Sequence, residues 1–524
     1  MTKTTRRTFL KTAAAAGAAT AATAFGGKAP YFKKALAQGR KHITYLQTEP
    51  LTASWDVTSH TILAQIYFEH HVFGKLIQTP MSQSNPEEIQ FDLATGHRVV
   101  DDKTIEYTLR DDVYFHAGQK FGPEDVKATI EYASNPERPA GTWYPGQAEA
   151  EVVDSRTVRL RAADGAYPGS LFYFLAGFLP IMSADDIKNN AIGERPNGTS
   201  YYKFVSRDGP TTRLEANENY HFGKPAIEEY ISTFVGDANT RLLSLLGDEA
   251  DLIERIEPEQ YETLLTEDVN VVRTISTENK YLHFRCQKPP FDDVRVRHAA
   301  CHAIDRELIL EIMGPAGHKS NGQLSPVKFG YTDNIPGSPE YDPARCQELL
   351  AEAGYPNGDG LPEIEYLTSV GFYPKTKEYG EVVTAMLQEQ GFPVTFTVME
   401  VAAWLDKVFD KGPTGTQLAD TGWMTGSPEP NLVVRPMWHS DGQILSNCVN
   451  DELDAVINMQ QSIGDPAARK DAIQNKLMPA LAKQMPSYGL FTSVLIHAHN
   501  KGLKDLYIYP NGPMDLSKAT WSAL

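Results

Sequence analysis

Residues 93–133 read LATGHRVVDDKTIEYTLRDDVYFHAGQKFGPEDVKATIEYA, and a strand, a turn and a helix follow one another within them. Thr104-Ile105-Glu106-Tyr107-Thr108-Leu109 alternates with period two, the pattern of a half-buried strand. Residues 118–122 form a turn between glycines. Pro123 at a first helical position, with Glu124 and Asp125 in the first turn, then starts a helix. This succession predicts an α/β or α+β architecture.

The same punctuation recurs outward along the chain. Residues 41–46 (KHITYL) read as a strand. Ile62, Ile66, Phe73 and Ile77 give near-helical spacing over 61–77. Asp292 or Asp293 can cap a helix carrying Val294, Cys301, Ile304, Leu308 and Ile312 on one side and ending near Gly314. Asp342 caps another, with Pro343 first, Leu349 and Leu350 inward and Gly354 as terminator. A third pattern covers 466–483, where Pro479 is expected to kink or end the helix.

At 524 residues and 58.1 kDa the chain is long enough for roughly two to four folding units, and its composition, 41% hydrophobic and 22% charged, is that of a globular protein. Near the start, Thr5-Arg6-Arg7-Thr8-Phe9-Leu10-Lys11, an Ala/Gly-rich stretch and Ala35-Leu36-Ala37 predict a twin-arginine signal peptide over 1–37 and a periplasmic protein. That segment holds seven basic residues and no acid, so its removal takes the formal charge from −18 to −25. Such a surface repels phosphate backbones and anionic lipid, which argues against nucleic-acid and membrane-surface binding. The four cysteines, Cys286, Cys301, Cys346 and Cys448, form no C-x-x-C; a disulfide and plain burial both remain open.

Seven segments, in order, resemble the peptide- and nickel-type extracellular solute-binding proteins of ABC transporters: residues 93–133, EVVDSRTVRL, NGTSYY, LEANENYHFGKPAIEEYISTF, LLSLLGDEADLIERI, PPFDDVRVRHAACHAIDRELI and YDPARCQELLAEAGY. The resemblance spans nearly the whole chain after residue 37. It implies an α/β fold of the type II periplasmic-binding-protein class, with two lobes and a hinge plus an extra inserted subdomain. Lobe 1 is expected over 38–276, with the subdomain at about 78–180. Lobe 2 is expected over 277–485, and 486–524 return to lobe 1. The expected function is capture of a small solute between closing lobes and delivery to ABC permease subunits, by a monomer, with no cofactor and no catalysis.

The family often carries Gly-Trp at the cleft, matched here by Gly422-Trp423, so Trp423 is the first ligand candidate; a core tryptophan is the other possibility. Peptide-binding members usually have an aspartate just after it that pairs with the ligand's α-ammonium. Here Met424-Thr425-Gly426-Ser427-Pro428-Glu429 contains none, and Glu429 is the only substitute nearby. Thr425 could offer a hydroxyl or be a turn residue. Arg285 and Arg435 could fork onto a ligand carboxylate or form structural ion pairs. Tyr45, Trp143 and Tyr144 are aromatic candidates for the cleft wall or for packing. Together these favour a peptide or an opine-like, carboxylate-bearing solute.

His70 and His71 are adjacent and point about 100° apart on a helix. His497 and His499 share a face without a nearby acid pair, so no metal is expected. No G-x-S-x-G, H-E-x-x-H or P-loop occurs. An exported hydrolase and a chemosensory binding protein on the same fold are the alternative functions.

Overall fold

The computed structural model describes residues 41–60, 62–135, 148–162, 171, 175–370, 372–410, 415–442 and 445–522. The expected signal segment and the candidates Trp143 and Tyr144 lie outside the described residues.

Eleven strands form one mixed sheet that runs through both lobes. At one end, His42–Gln47 lies parallel to Glu229–Phe234 and Leu252–Ile253, with helix Ala238–Leu246 as crossover. At the other, Ile364–Ser369 lies parallel to Val394–Met399 and Leu418–Trp423, with helices Thr376–Glu389 and Val401–Phe409 between them. Parallel neighbours need such crossovers, and their helices bury the sheet's faces.

Two long antiparallel strands, Val269–Phe284 and Ser487–Asn500, join the halves. The first part of the pair borders Leu252–Ile253, and the last part borders Leu418–Trp423. Between the two parts the register breaks, from Ile275 to Asn279. A bulge at that point interrupts the ladder where the chain passes between lobes, the expected place for a hinge.

A separate antiparallel sheet follows the order Ala94–Asp101, Thr104–Leu109, Thr157–Ala162, Ala148–Val152. Helix Pro123–Ala133 packs on it around Tyr107, Leu109, Phe121, Val126, Ile130 and Leu160. Past Asn500 the chain packs on the first lobe: Trp521 Nε1 donates to His42 O at 3.1 Å and Tyr201 OH to Met514 O at 3.2 Å.

Several local signals have their expected chemistry. Asp342 accepts from Arg345 N at 3.0 Å, and Gly354 ends that helix at φ +95°. Asp125 reaches back to Gly122 N at 2.8 Å, ahead of Pro123.

Three expected helices differ. The one expected over 61–77 is Leu63–Val72, and Ile77–Gln78 is extended. Val72 O is taken by Ser200 N at 3.0 Å, which stops the helical ladder there. The helix expected from 294 to 314 is two, Val294–Ala303 and Arg306–Met313, because Asp305 caps a new start by accepting from Glu307 N at 2.9 Å. Around Pro479 the helix is interrupted without ending: a widened turn, Ile473–Leu477, precedes Met478–Gln484. Pro479 then sits in a first turn, where no N–H is required. All four cysteines are free thiols.

Candidate functional site

A cavity of about 840 Å³ lies between the lobes, beside the register break. The first lobe contributes Glu49, Leu63, Tyr67, Glu254, Arg255 and Glu257. The second contributes Phe372, Tyr373, Trp404, Gly422 and Trp423, and the long strands contribute Glu278 and residues 493–497. Ion pairs among the described residues join the halves, Lys375 with Glu259 beside the lining residue Pro374, and Lys470 with Glu87 (2.5 Å).

Trp423 ends strand Leu418–Trp423 and lines the cavity, half-buried. Its indole N–H donates to Leu432 O at 2.9 Å, so the ring offers a face and no free donor. The other described sequence candidates are not brought to the cavity. Arg285 is 3% exposed; it donates to Val408 O at 2.8 Å and Thr416 O at 3.4 Å, so it ties the lobe's own backbone together. Arg435 faces Asp441 and donates to Asn458 Oδ1 (3.1 Å) and Gln461 Oε1 (3.3 Å) on a neighbouring helix. The Thr425 hydroxyl is held by the buried Lys328 ammonium and donates to Ser427 O at 3.1 Å. Tyr45 is buried against Tyr230, with ring centroids 6.2 Å apart.

Glu429 is also absent from the cavity. It is fully buried and forks onto Arg469, with Nη1–Oε2 at 2.8 Å and Nη2–Oε1 at 2.6 Å. Deep burial makes such a pair structural: neither charge can be left alone.

His497 lines the cavity, and burial pushes its pKa down to about 4, with Arg255 acting the same way and Glu254 opposing. His70 and His71 are held inside the first lobe, His71 Nδ1 at 2.8 Å from Tyr201 OH. His499 contacts Asn500 O at 2.9 Å. Among the described residues no group of three His, Cys, Asp or Glu side chains is arranged to hold a metal ion.

The acids of the lining escaped sequence reasoning. Glu254 accepts from Thr48 N at 2.7 Å and Thr48 Oγ1 at 2.8 Å, and the buried Tyr45 lies behind it. Glu49 accepts from Arg255 Nη2 at 2.9 Å. Burial pushes Glu257 above the usual carboxylate range, and neighbouring Glu259 adds to it. Glu278 accepts from Ser493 Oγ at 2.6 Å. The one trace in sequence was a charge inside a strand-like run, Ile275-Ser276-Thr277-Glu278-Asn279-Lys280-Tyr281.

Residues 88–444 match the family described as "Bacterial extracellular solute-binding proteins, family 5 Middle". The chain belongs to this family. Its curated relatives include the glutathione-binding protein GsiB of Salmonella typhi, 26% identical over 434 residues, covering 80% of this chain and 83% of the relative. Heme-binding protein A of Haemophilus influenzae is 27% identical over 424 residues, covering 74% and 75%. Among solved structures, the ABC transporter substrate-binding protein CtaP of Listeria monocytogenes superposes with a TM-score of 0.80 at 19% identity, covering 92% of this chain and 99% of that one. The family 5 protein is therefore a substrate-binding component of an ABC importer with the type II periplasmic fold. Its relatives are binding proteins of transporters, its family acts outside the cytoplasmic membrane, and no described helix is long and apolar enough to cross one.

Proposed function

We propose that this family 5 receptor captures a positively charged solute of the peptide class between its lobes and hands it, unaltered, to a membrane permease. It does so as a monomer exported by the twin-arginine pathway. The charge balance of the cavity carries the proposal. Its described lining holds four carboxylates, Glu49, Glu254, Glu257 and Glu278, against one guanidinium, Arg255, which already bonds Glu49. In a partly desolvated site, Coulomb energies are several-fold larger than in water. A solute bringing only carboxylates would add repulsion; one bringing ammonium or guanidinium groups relieves it.

The rings of Tyr67, Phe372, Tyr373, Trp404 and Trp423 supply apolar and π surface for cations and aliphatic stems alike. The volume suits a small-molecule site of roughly 300–1,000 Å³. Among peptide-class solutes, this lining favours basic ones over an opine-like acid. Glutathione, with two carboxylates and one ammonium, is disfavoured here, whatever GsiB binds.

Thermal melts with tri-lysine amide, tri-alanine and glutathione test the proposal. At one hundred times its dissociation constant a ligand adds about 2.7 kcal/mol to stability. Tri-lysine amide should raise Tm most and be recovered intact by mass spectrometry. A larger rise with glutathione would refute the charge assignment. Cleavage of the peptide would instead favour an exported hydrolase.

A further inference from the structure

Glu278 occupies a singular place. It lies within the register break of the two long strands and is the cavity acid nearest the hinge. One carboxylate oxygen accepts from Ser493 Oγ on the other long strand at 2.6 Å. The other lies over Gly422, where an added Cβ would fall 2.3 Å from Oε1 and 3.0 Å from Tyr373 Cε1. Glycine at 422 is therefore what leaves the carboxylate its room. Tyr373 OH donates to Gly422 O at 2.9 Å, which fixes the ring beside that oxygen.

Lys280 stands two residues further on, only 1% exposed. Its Nζ lies 3.1 Å from the centroid of the Tyr373 ring and has no hydrogen-bond acceptor. Two carboxylates face this ammonium, Asp420 and Glu278. Asp420 is fully buried and accepts from Tyr379 OH. One positive charge thus serves two negative ones, and of the two acids only Glu278 opens to the cavity. Glu278 itself is half-buried, and a partly desolvated carboxylate of this kind is stabilised by one more cation.

We propose that Glu278 is the docking point for a primary ammonium group of the solute, walled by the rings of Tyr373 and Trp423; this rests on the acidic-cavity reading above. Because Ser493 occupies one oxygen, the carboxylate presents a single oxygen rather than a fork. That geometry suits a compact ammonium with three rotatable donors better than a planar guanidinium. The Lys280 charge, with its ammonium against the Tyr373 ring, acts on the carboxylate through space rather than by a bond. Docking at the register break puts the neutralising charge on the hinge itself, so binding and closure act through the same residue.

Isothermal titration of tri-lysine amide and tri-arginine amide, both N-acetylated so that their side chains carry the only cations, into wild type, Glu278→Gln and Glu278→Asp tests this. Glu278→Gln keeps an acceptor for Ser493 and removes only the charge. Wild type should prefer tri-lysine amide. Glu278→Gln should weaken that peptide by about 10- to 100-fold, the loss expected for one charge-assisted bond, with the empty protein melting within about 2 °C of wild type. Glu278→Asp, which retracts the charge, should fall between the two even if the glutamine variant folds poorly. Unchanged affinity in both variants, with wild type still binding tri-lysine amide, would overturn the anchor and leave the cavity's cation preference standing. Tighter binding of glutathione than of tri-lysine amide by wild type would remove the preference itself.

Discussion

Glu429→Gln separates a structural acid from a ligand acid. Glu429 and Arg469 are 1% and 3% exposed at their side chains and meet through two bonds, 2.6 and 2.8 Å. Glu429 Oε1 also accepts from Asn431 N at 2.9 Å, and the buried Lys328 is a second cation close by. The amide keeps shape and one acceptor but leaves Arg469 and Lys328 without their carboxylate. Breaking a buried pair by removing one partner costs about 3–5 kcal/mol. At about 2–4 °C per kcal/mol for a folding unit of 150–250 residues, Tm should fall by roughly 6–20 °C. Lys328, whose pKa burial already pushes down to about 7, loses the neighbour that opposes the shift and should be deprotonated more readily still. Urea denaturation followed by circular dichroism measures the loss, and titration with tri-lysine amide at a permissive temperature measures binding. Affinity should stay within about twofold. A destabilisation below about 1 kcal/mol, or an affinity loss without destabilisation, would refute the assignment and return Glu429 to the list of ligand groups.

Arg285→Met should behave alike: Val408 O and Thr416 O lose a donor, at about 1–3 kcal/mol for each unmet carbonyl, while ligand affinity is unchanged; an affinity loss exceeding the stability loss would contradict this. The protein should also lose stability in acid through its buried histidines. Burial, helped by Lys280 and Arg285, pushes His283 down to about 3, whereas the unfolded chain takes up that proton near 6.5. Unfolded molecules therefore bind more protons between those values, and stability falls as pH drops through that window. His71 (about 3), His116 (about 4) and His497 (about 4) act in the same direction. His283→Gln should remove one such contribution, narrowing its stability gap to wild type by about 2 kcal/mol between pH 7 and pH 5; parallel pH profiles would show that His283 is not the group titrating.

The sequence by itself determined what depends on neighbours along the chain. Asp342 with Pro343, Gly122 with Pro123 and Asp125, and the alternation of residues 104–109 place elements because caps and periodicity act within a few residues. Ordered segments of that kind carried the family and, with it, the two-lobed fold and the role as an importer's receptor. The Gly-Trp pair also placed Trp423 at the cavity. Where a distant segment intervened the local signal failed: the helix from Leu63 stops because Ser200, in the bend before strand Tyr202–Asp208, claims Val72 O.

The site's charge was decided only in three dimensions. Arg285, Glu429 and Thr425 look like ligand groups in one dimension, yet each is consumed by its own lobe. Glu49, Glu254 and Glu278 look like ordinary solvated acids and meet around one cavity. Whether a charged side chain serves a guest or its own backbone depends on what packs against it from far along the chain, and no local pattern records that.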